Sequence, residues 1–116
     1  MSDAMNTAIS ALGALRTKLD VNANNIANID TAGFKKSRAL LQETNSSGVI
    51  VTIHKVETPG SPIPAEDGTM EMRESSNVAI DEEIINLKTT QHAYNANLKT
   101  IEAEDDMLGT LFDSLG

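Results

Sequence analysis

Cysteine and tryptophan are absent from this 116-residue chain, and only Phe34, Tyr94 and Phe112 are aromatic. Without cysteine there are no disulfides, no thiol catalysis and no cysteine-based zinc sites. With so few aromatics, any core is aliphatic and modest in size. Basic residues are also scarce, nine against seventeen acidic ones, for a net charge of −8. Phosphate affinity is carried chiefly by Lys and Arg, so a nonspecific nucleic-acid binder is not expected. No apolar run approaches the roughly 20 residues needed to span a bilayer. The N-terminus lacks a basic segment followed by an apolar one. The expectation is therefore no cleavable secretory signal, and a route that needs none if the protein leaves the cytoplasm.

What charge there is lies unevenly. Residues 1–58 carry six basic and five acidic side chains, and residues 59–116 carry three and twelve. The one basic cluster is Lys35, Lys36 and Arg38. This asymmetry fits pairing of the two halves, within one chain or head to tail between chains; it also fits two solvated faces.

The hydrophobic 40% is arranged periodically. From Met1 through Met5, Ala8, Leu12, Leu15, Leu19, Asn22, Ile26 and Ile29 the spacing alternates four and three. That is the 3.5-residue period of a coiled-coil seam. Asp3 is the expected N-cap, and the Asn-rich segment before Thr31-Ala32-Gly33 the expected stop. The same period runs through Ile80, Ile84, Leu87, Gln91, Tyr94, Leu98, Ile101, Asp105, Leu108, Phe112 and Leu115. Asp81, Glu82 and Glu83 favour a helix start there, and Gly109 is expected to fray or end the helix early. A continuous helix of about 50 Å is long for a chain of this size.

The segment between differs. Gly48 to Glu57 alternates like a strand, Thr58 to Pro64 reads as a rigid proline-punctuated turn, and Gly68 to Arg73 as a short return strand. The expected fold is therefore mainly α. Two long terminal helices form an antiparallel coiled-coil-like hairpin, with a small β-hairpin insert between them. The expected divisions are residues 1–29, 30–77 and 78–116. Setting Asn22 opposite Gln91, so that two buried amides satisfy each other, gives one register. Leu19 then faces Tyr94, Leu15 faces Leu98, Leu12 faces Ile101, and Met5 faces Leu108, with Asp105 opposite Ala8.

Catalytic and ligand-binding patterns are wanting. His92 has Asn95 and Ala96 where a helical metal partner would stand, and His54 is on the strand. The run Glu102, Glu104, Asp105, Asp106 lacks the alternating, glycine-centred loop that wraps calcium. No serine lies in a Gly-x-Ser-x-Gly turn, and no glycine-rich phosphate loop is present. Neither an enzyme nor a cofactor is expected.

Interaction chemistry remains. Asn22-Ala-Asn-Asn-Ile-Ala-Asn28 places four asparagines in seven residues. Asn is a mediocre helix former, so helix stability does not explain the cluster. Its amides suit reading another chain's backbone, or simply capping the helix and opening the turn. Gly33 can turn the chain at low cost. Phe34 is then a lone aromatic anchor for its own minor core or for a partner's pocket.

These residues also carry a resemblance. Asn24-Asn-Ile-Ala-Asn-Ile-Asp-Thr-Ala-Gly-Phe-Lys-Lys36, preceded by Ala11-Leu-Gly-Ala-Leu15, resembles the N-terminal signature of the bacterial flagellar rod and hook family. Glu74-Ser-Ser-Asn-Val78, Glu83-Ile-Ile-Asn86, Gln91-His-Ala-Tyr-Asn-Ala-Asn-Leu98 and Asp106-Met-Leu-Gly-Thr-Leu111 resemble its C-terminal one. The chain departs from the family at Ala32, where Pro is usual, and at His92, where Arg is usual. Its short middle is most similar to that of the small proximal rod proteins.

The resemblance implies a structural subunit of the basal-body rod, stacking helically with itself and other rod subunits and exported through the flagellar type III apparatus. A head-to-tail contact that does not close on itself builds a filament. On that reading the subunit interface comprises Asn24, Asn25, Asn28, Gly33, Phe34, Asn77 and Asn97 from the two signatures. Leu12, Leu15, Leu19, Asn22 and Ile26 join them from the first seam, and Gln91, Tyr94, Leu98, Ile101 and Leu108 from the second. The competing reading is a soluble coiled-coil adaptor or export chaperone that binds a client through the same seam.

Overall fold

The computed structural model describes residues 3–46, 48–65, 68 and 71–116. The first seam position, Met1, lies outside the described residues. Helix α1 spans Asp3–Ala27 and helix α2 spans Ile80–Leu115. Between them come strands β1 (Ser37–Thr44), β2 (Gly48–Lys55), β3 (Pro62–Pro64) and β4 (Met72–Glu74). The molecule is thus mainly α, two helices in contact with small antiparallel β elements between them.

Helix α1 begins at Asp3, which sits in its first turn and complements the positive end of the helix dipole. At the other end, Asn28 folds its side chain back, donating from Nδ2 to the Asn24 carbonyl at 2.9 Å. Its Oδ1 accepts from the Thr31 hydroxyl at 3.0 Å. Gly33, at φ +74°, then turns the chain where a side chain would be strained. Helix α2 has Ala79 at its N-cap with no side-chain cap, and Asp81, Glu82 and Glu83 fill its first turn. It continues unbroken through Gly109 to Leu115, contrary to the early end expected there. At roughly 1.5 Å per residue its 36 residues extend about 54 Å, against about 37 Å for α1.

The strands pair differently from the sequence expectation. β2 was expected to return onto residues 68–73 across the proline turn. Instead it pairs antiparallel with β1, Ser37 opposite Lys55 and Thr44 opposite Gly48. The reversal lies at Asn45 and Ser46, and a connection this short favours the pairing of neighbouring strands. Of the expected return strand, Thr69 and Met70 lie outside the described residues; Met72 and Arg73 belong to β4, which pairs with β3 of the proline segment. Prolines 62 and 64 stand on a two-stranded edge, where a missing N–H is tolerated.

Helix α1 fastens this hairpin at both ends. Near the tip, the Ser10 hydroxyl donates to the Val49 carbonyl at 2.9 Å and accepts from its N–H at 2.8 Å. At the base, Asn25 bonds the backbone N–H and carbonyl of Ser37 at 3.0 and 2.9 Å. One clasp holds β2 and the other β1, so α1 crosses the hairpin diagonally.

The helices run antiparallel, but in a register different from the one that pairs Asn22 with Gln91. Asn22 meets Glu83, about two helical turns or roughly 12 Å from Gln91. A 3.5-residue repeat looks alike every seven residues, so the period leaves the register open. A buried carboxylate accepting charged and neutral donors outweighs an amide pair. The contact face of α2 is also rotated. Glu83 and Thr90 are buried and Asn86, Tyr94, Asn97, Ile101 and Glu104 half-buried, whereas Ile84, Leu87 and Leu98 stay exposed. Small residues of α1, Ala8, Ala11 and Ala14 beside Leu15, form the buried core. They let α2 approach along its narrower, polar flank, because interaxial distance follows side-chain size.

Candidate assembly surface

One polar cluster joins α1, β1 and α2. Asn22 Nδ2 donates to the Glu83 backbone carbonyl at 3.0 Å and to its Oε2 at 2.5 Å. Asn25 Nδ2 and Arg38 Nη1 each reach Glu83 Oε1 at 3.3 Å. Glu83 is only 1% exposed, so its charge is held by these donors alone among the described residues. Outside it, Glu82 bonds Arg38 Nη2 and accepts from Lys36 Nζ at 3.1 Å. An open cleft of about 250 Å³ lies alongside, walled by Lys18, Val21, Leu40 and Asn86. Its cations, Lys18 and Arg38, stand against Glu82 and Glu83, so it favours ions of neither sign.

A second cluster ties the linkers together. Asn77 Oδ1 accepts from the Lys36 N–H at 2.7 Å, and its Nδ2 donates to the carbonyls of Val56 and Thr58 at 2.8 and 2.9 Å. Gly33 N–H reaches the Glu74 carbonyl at 2.9 Å, and Asn77 N–H the Phe34 carbonyl at 3.2 Å. Lys35 bridges to Glu74 at 2.8 Å and holds its carboxyl below the usual carboxylate range. The basic cluster of the first half is therefore paired with Glu74, Glu82 and Glu83 of the second half, within one chain.

The sequence candidates now separate by position. Leu15, Asn22 and Asn25 are buried in this chain's own core, and the Asn77 amide is engaged by its own backbone. Asn28 caps α1. Leu12, Leu19, Ile26, Phe34, Tyr94, Asn97 and Ile101 are half-buried. Asn24, Gly33, Gln91, Leu98 and Leu108 are exposed. The residue that sequence reasoning missed is Glu83. An acid in a first helical turn reads as a dipole partner, and only its place beneath Asn22 and Asn25 reveals the other role.

The exposed apolar surface is extensive. Beyond Glu102, α2 passes the start of α1, since Asn22 against Glu83 sets Asp3 about level with Glu102. There Met107, Leu111, Phe112 and Leu115 are exposed, Phe112 by 68% and Leu115 by 77%. Single exposed apolar residues are ordinary, but a continuous run of them on one helix marks a contact surface. No described helix is long and apolar enough to cross a membrane.

Two family models match this chain at its two ends. Residues 5–35 match the flagella basal body rod protein family, and residues 71–113 match the flagellar basal body rod FlgEFG protein C-terminal family. Among curated relatives, the flagellar basal-body rod protein FlgG of Bacillus subtilis is 46% identical over 43 residues, covering 37% of this chain and 16% of the relative. The flagellar hook protein FlgE of Borreliella burgdorferi is 32% identical over 68 residues, covering 59% of this chain and 15% of the relative. The matched stretches thus span about a sixth of either relative's length. The two clusters described above lie within or beside the matched segments, which the fold brings together as one unit: the chain belongs to the bacterial flagellar rod and hook family.

Proposed function

We propose that this chain is a structural subunit of the flagellar basal-body rod, stacking axially through its terminal helices with copies of itself and with other rod subunits. The observation that carries this reading is the exposed apolar run on α2, from Ile80 to Leu115, which its own chain leaves largely uncovered. A proximal position in the rod is supported by the short stretch, residues 36–70, between the two matched segments. Its described residues form the β1–β2 hairpin and strand β3, and 35 residues leave no room for a large outer domain. The candidate interface is the exposed and half-buried part of the two signatures, Asn24, Phe34, Gln91, Tyr94, Leu98, Ile101 and Leu108 among them. Export through the flagellar type III apparatus and residence in the periplasmic rod belong to the same reading.

The test is quantitative mass spectrometry of salt-washed basal bodies from the source organism. Several copies per particle are expected, together with loss of swimming on deletion. Absence from the particle, with the protein abundant in the cytosol, would overturn the rod reading in favour of an adaptor or export chaperone.

A further inference from the structure

The two helices form a ribbon whose faces differ. Ser10, Val21 and Asn25 turn one side of α1 toward the β1–β2 hairpin, and Glu82 turns the matching side of α2 toward Arg38 and Lys36. At about 100° per residue, Ile9, Leu12, Arg16 and Leu19 point the opposite way on α1. Ile80, Ile84, Leu87 and Leu98 do so on α2. All but the half-buried Leu12 and Leu19 are exposed. The face away from the hairpin is therefore an open apolar groove, with two cations, Arg16 on the α1 rim and Lys88 on the α2 rim, against one acid, Asp20, one turn from Arg16. Arg16 makes no ion pair among the described residues.

The far end of α2 has the complementary properties. Past Glu102 the face that would continue the contact with α1 becomes Leu108, Leu111, Phe112 and Leu115, all exposed, with none of the described residues covering them. Its flank carries Glu102, Asp105, Asp106 and Asp113, and no basic residue follows Lys99. A like end cannot be its partner, because two such ends would oppose these acids. A groove that is apolar along its floor and basic at its rim suits it in both respects.

We propose that the end of α2, about residues 102–115, seats in the groove opposite the hairpin on a second copy of this chain, with its acidic flank beside Arg16. The groove and the end are different patches of one molecule. The contact is therefore heterologous and leaves a free groove and a free end at each stage of growth. This rests on the rod reading and specifies which surfaces meet.

The chain has no aromatic on α2 beyond Tyr94 except Phe112, so Phe112→p-benzoylphenylalanine keeps an aromatic at an exposed site where folding is not at stake. The full chain, at concentrations where sedimentation shows association, is irradiated and the inter-chain adducts are mapped. Adducts on residues 5–23 of α1 and 80–98 of α2 are expected. Adducts confined to the hairpin or to the second copy's 102–115, or no association even at millimolar concentration, would overturn the proposal. In parallel, Arg16→Glu is expected to weaken association about tenfold with the circular dichroism of the monomer unchanged. Unchanged affinity would remove the charged rim from the contact and overturn it as stated. Because these readouts need only purified protein, their failure alongside chain found in basal bodies would remove the docking mode and leave the rod assignment standing.

Discussion

Two buried polar side chains on α2 carry opposite expectations. Glu83 holds Asn22, Asn25 and Arg38, each of which loses the buried carboxylate in Glu83→Ala, keeping only the Glu83 carbonyl, the Ser37 carbonyl and Glu82 respectively. Removing one partner of a buried charge cluster leaves the others desolvated, so this variant is expected to lose about 3 kcal/mol in urea unfolding. Thr90 is as buried, yet its hydroxyl has no hydrogen-bond partner among the described residues. Thr90→Val removes that unmet group at nearly constant volume and is expected to gain about 1 kcal/mol, seen as a higher midpoint at unchanged slope. At the surface, the Lys35 bond holds the Glu74 carboxyl ionised below the pH at which an ordinary glutamate takes up its proton. The folded value is depressed, so the stabilisation is complete above the unfolded value and is lost as pH falls through the folded one. Carboxyl-carbon NMR should show Glu74 titrating below the free-chain range, and Lys35→Met should move its midpoint up. The charge asymmetry left two outcomes open for Lys35, Lys36 and Arg38, pairing with the second half or solvated faces, and the structure takes the first. Which acid is buried was not, because burial follows from tertiary position.

The two helices were legible from their 3.5-residue periods, and β2 from its alternation. β1 was not. Ser-Arg-Ala-Leu-Leu-Gln-Glu-Thr has few β-branched residues and adjacent leucines, so its strand state comes from its contacts. Those contacts are β2 on one edge and Asn25 on the other. Asn25→Ala should therefore act on an element it does not belong to. It removes both bonds to Ser37 and one donor to Glu83, and about 2 kcal/mol of stability is expected to go with them. Hydrogen exchange should separate this from a general loss: the Ser37 amide is expected to lose protection first, while amides in the middle of α1 keep theirs. Equal loss across both would mean that the hairpin and helix open as one unit.

The whole molecule measures 79 × 25 × 17 Å, with a radius of gyration of 20.5 Å. A compact chain of this length would have a radius near 13 Å. Part of the difference arises because the seam continues along α2 past the start of α1, a consequence of the Asn22–Glu83 register that no count of apolar residues contains. It also separates two properties that are coupled in a compact fold. Side chains of the core serve stability, and those beyond Glu102, uncovered by the described residues, are the ones that the proposed contact uses for association. The double variant Leu108→Gln, Phe112→Gln is expected to leave the monomer's unfolding free energy in urea within about 0.5 kcal/mol of the parent, as for surface changes generally. Sedimentation of the same variant should show self-association weakened by far more than this, because large apolar anchors at the centre of a contact carry most of its energy. A matching loss in monomer stability would mean that the end of α2 folds back onto its own chain. X-ray scattering of the dilute parent would then give a radius well under 20.5 Å, so the two measurements test the extended form independently.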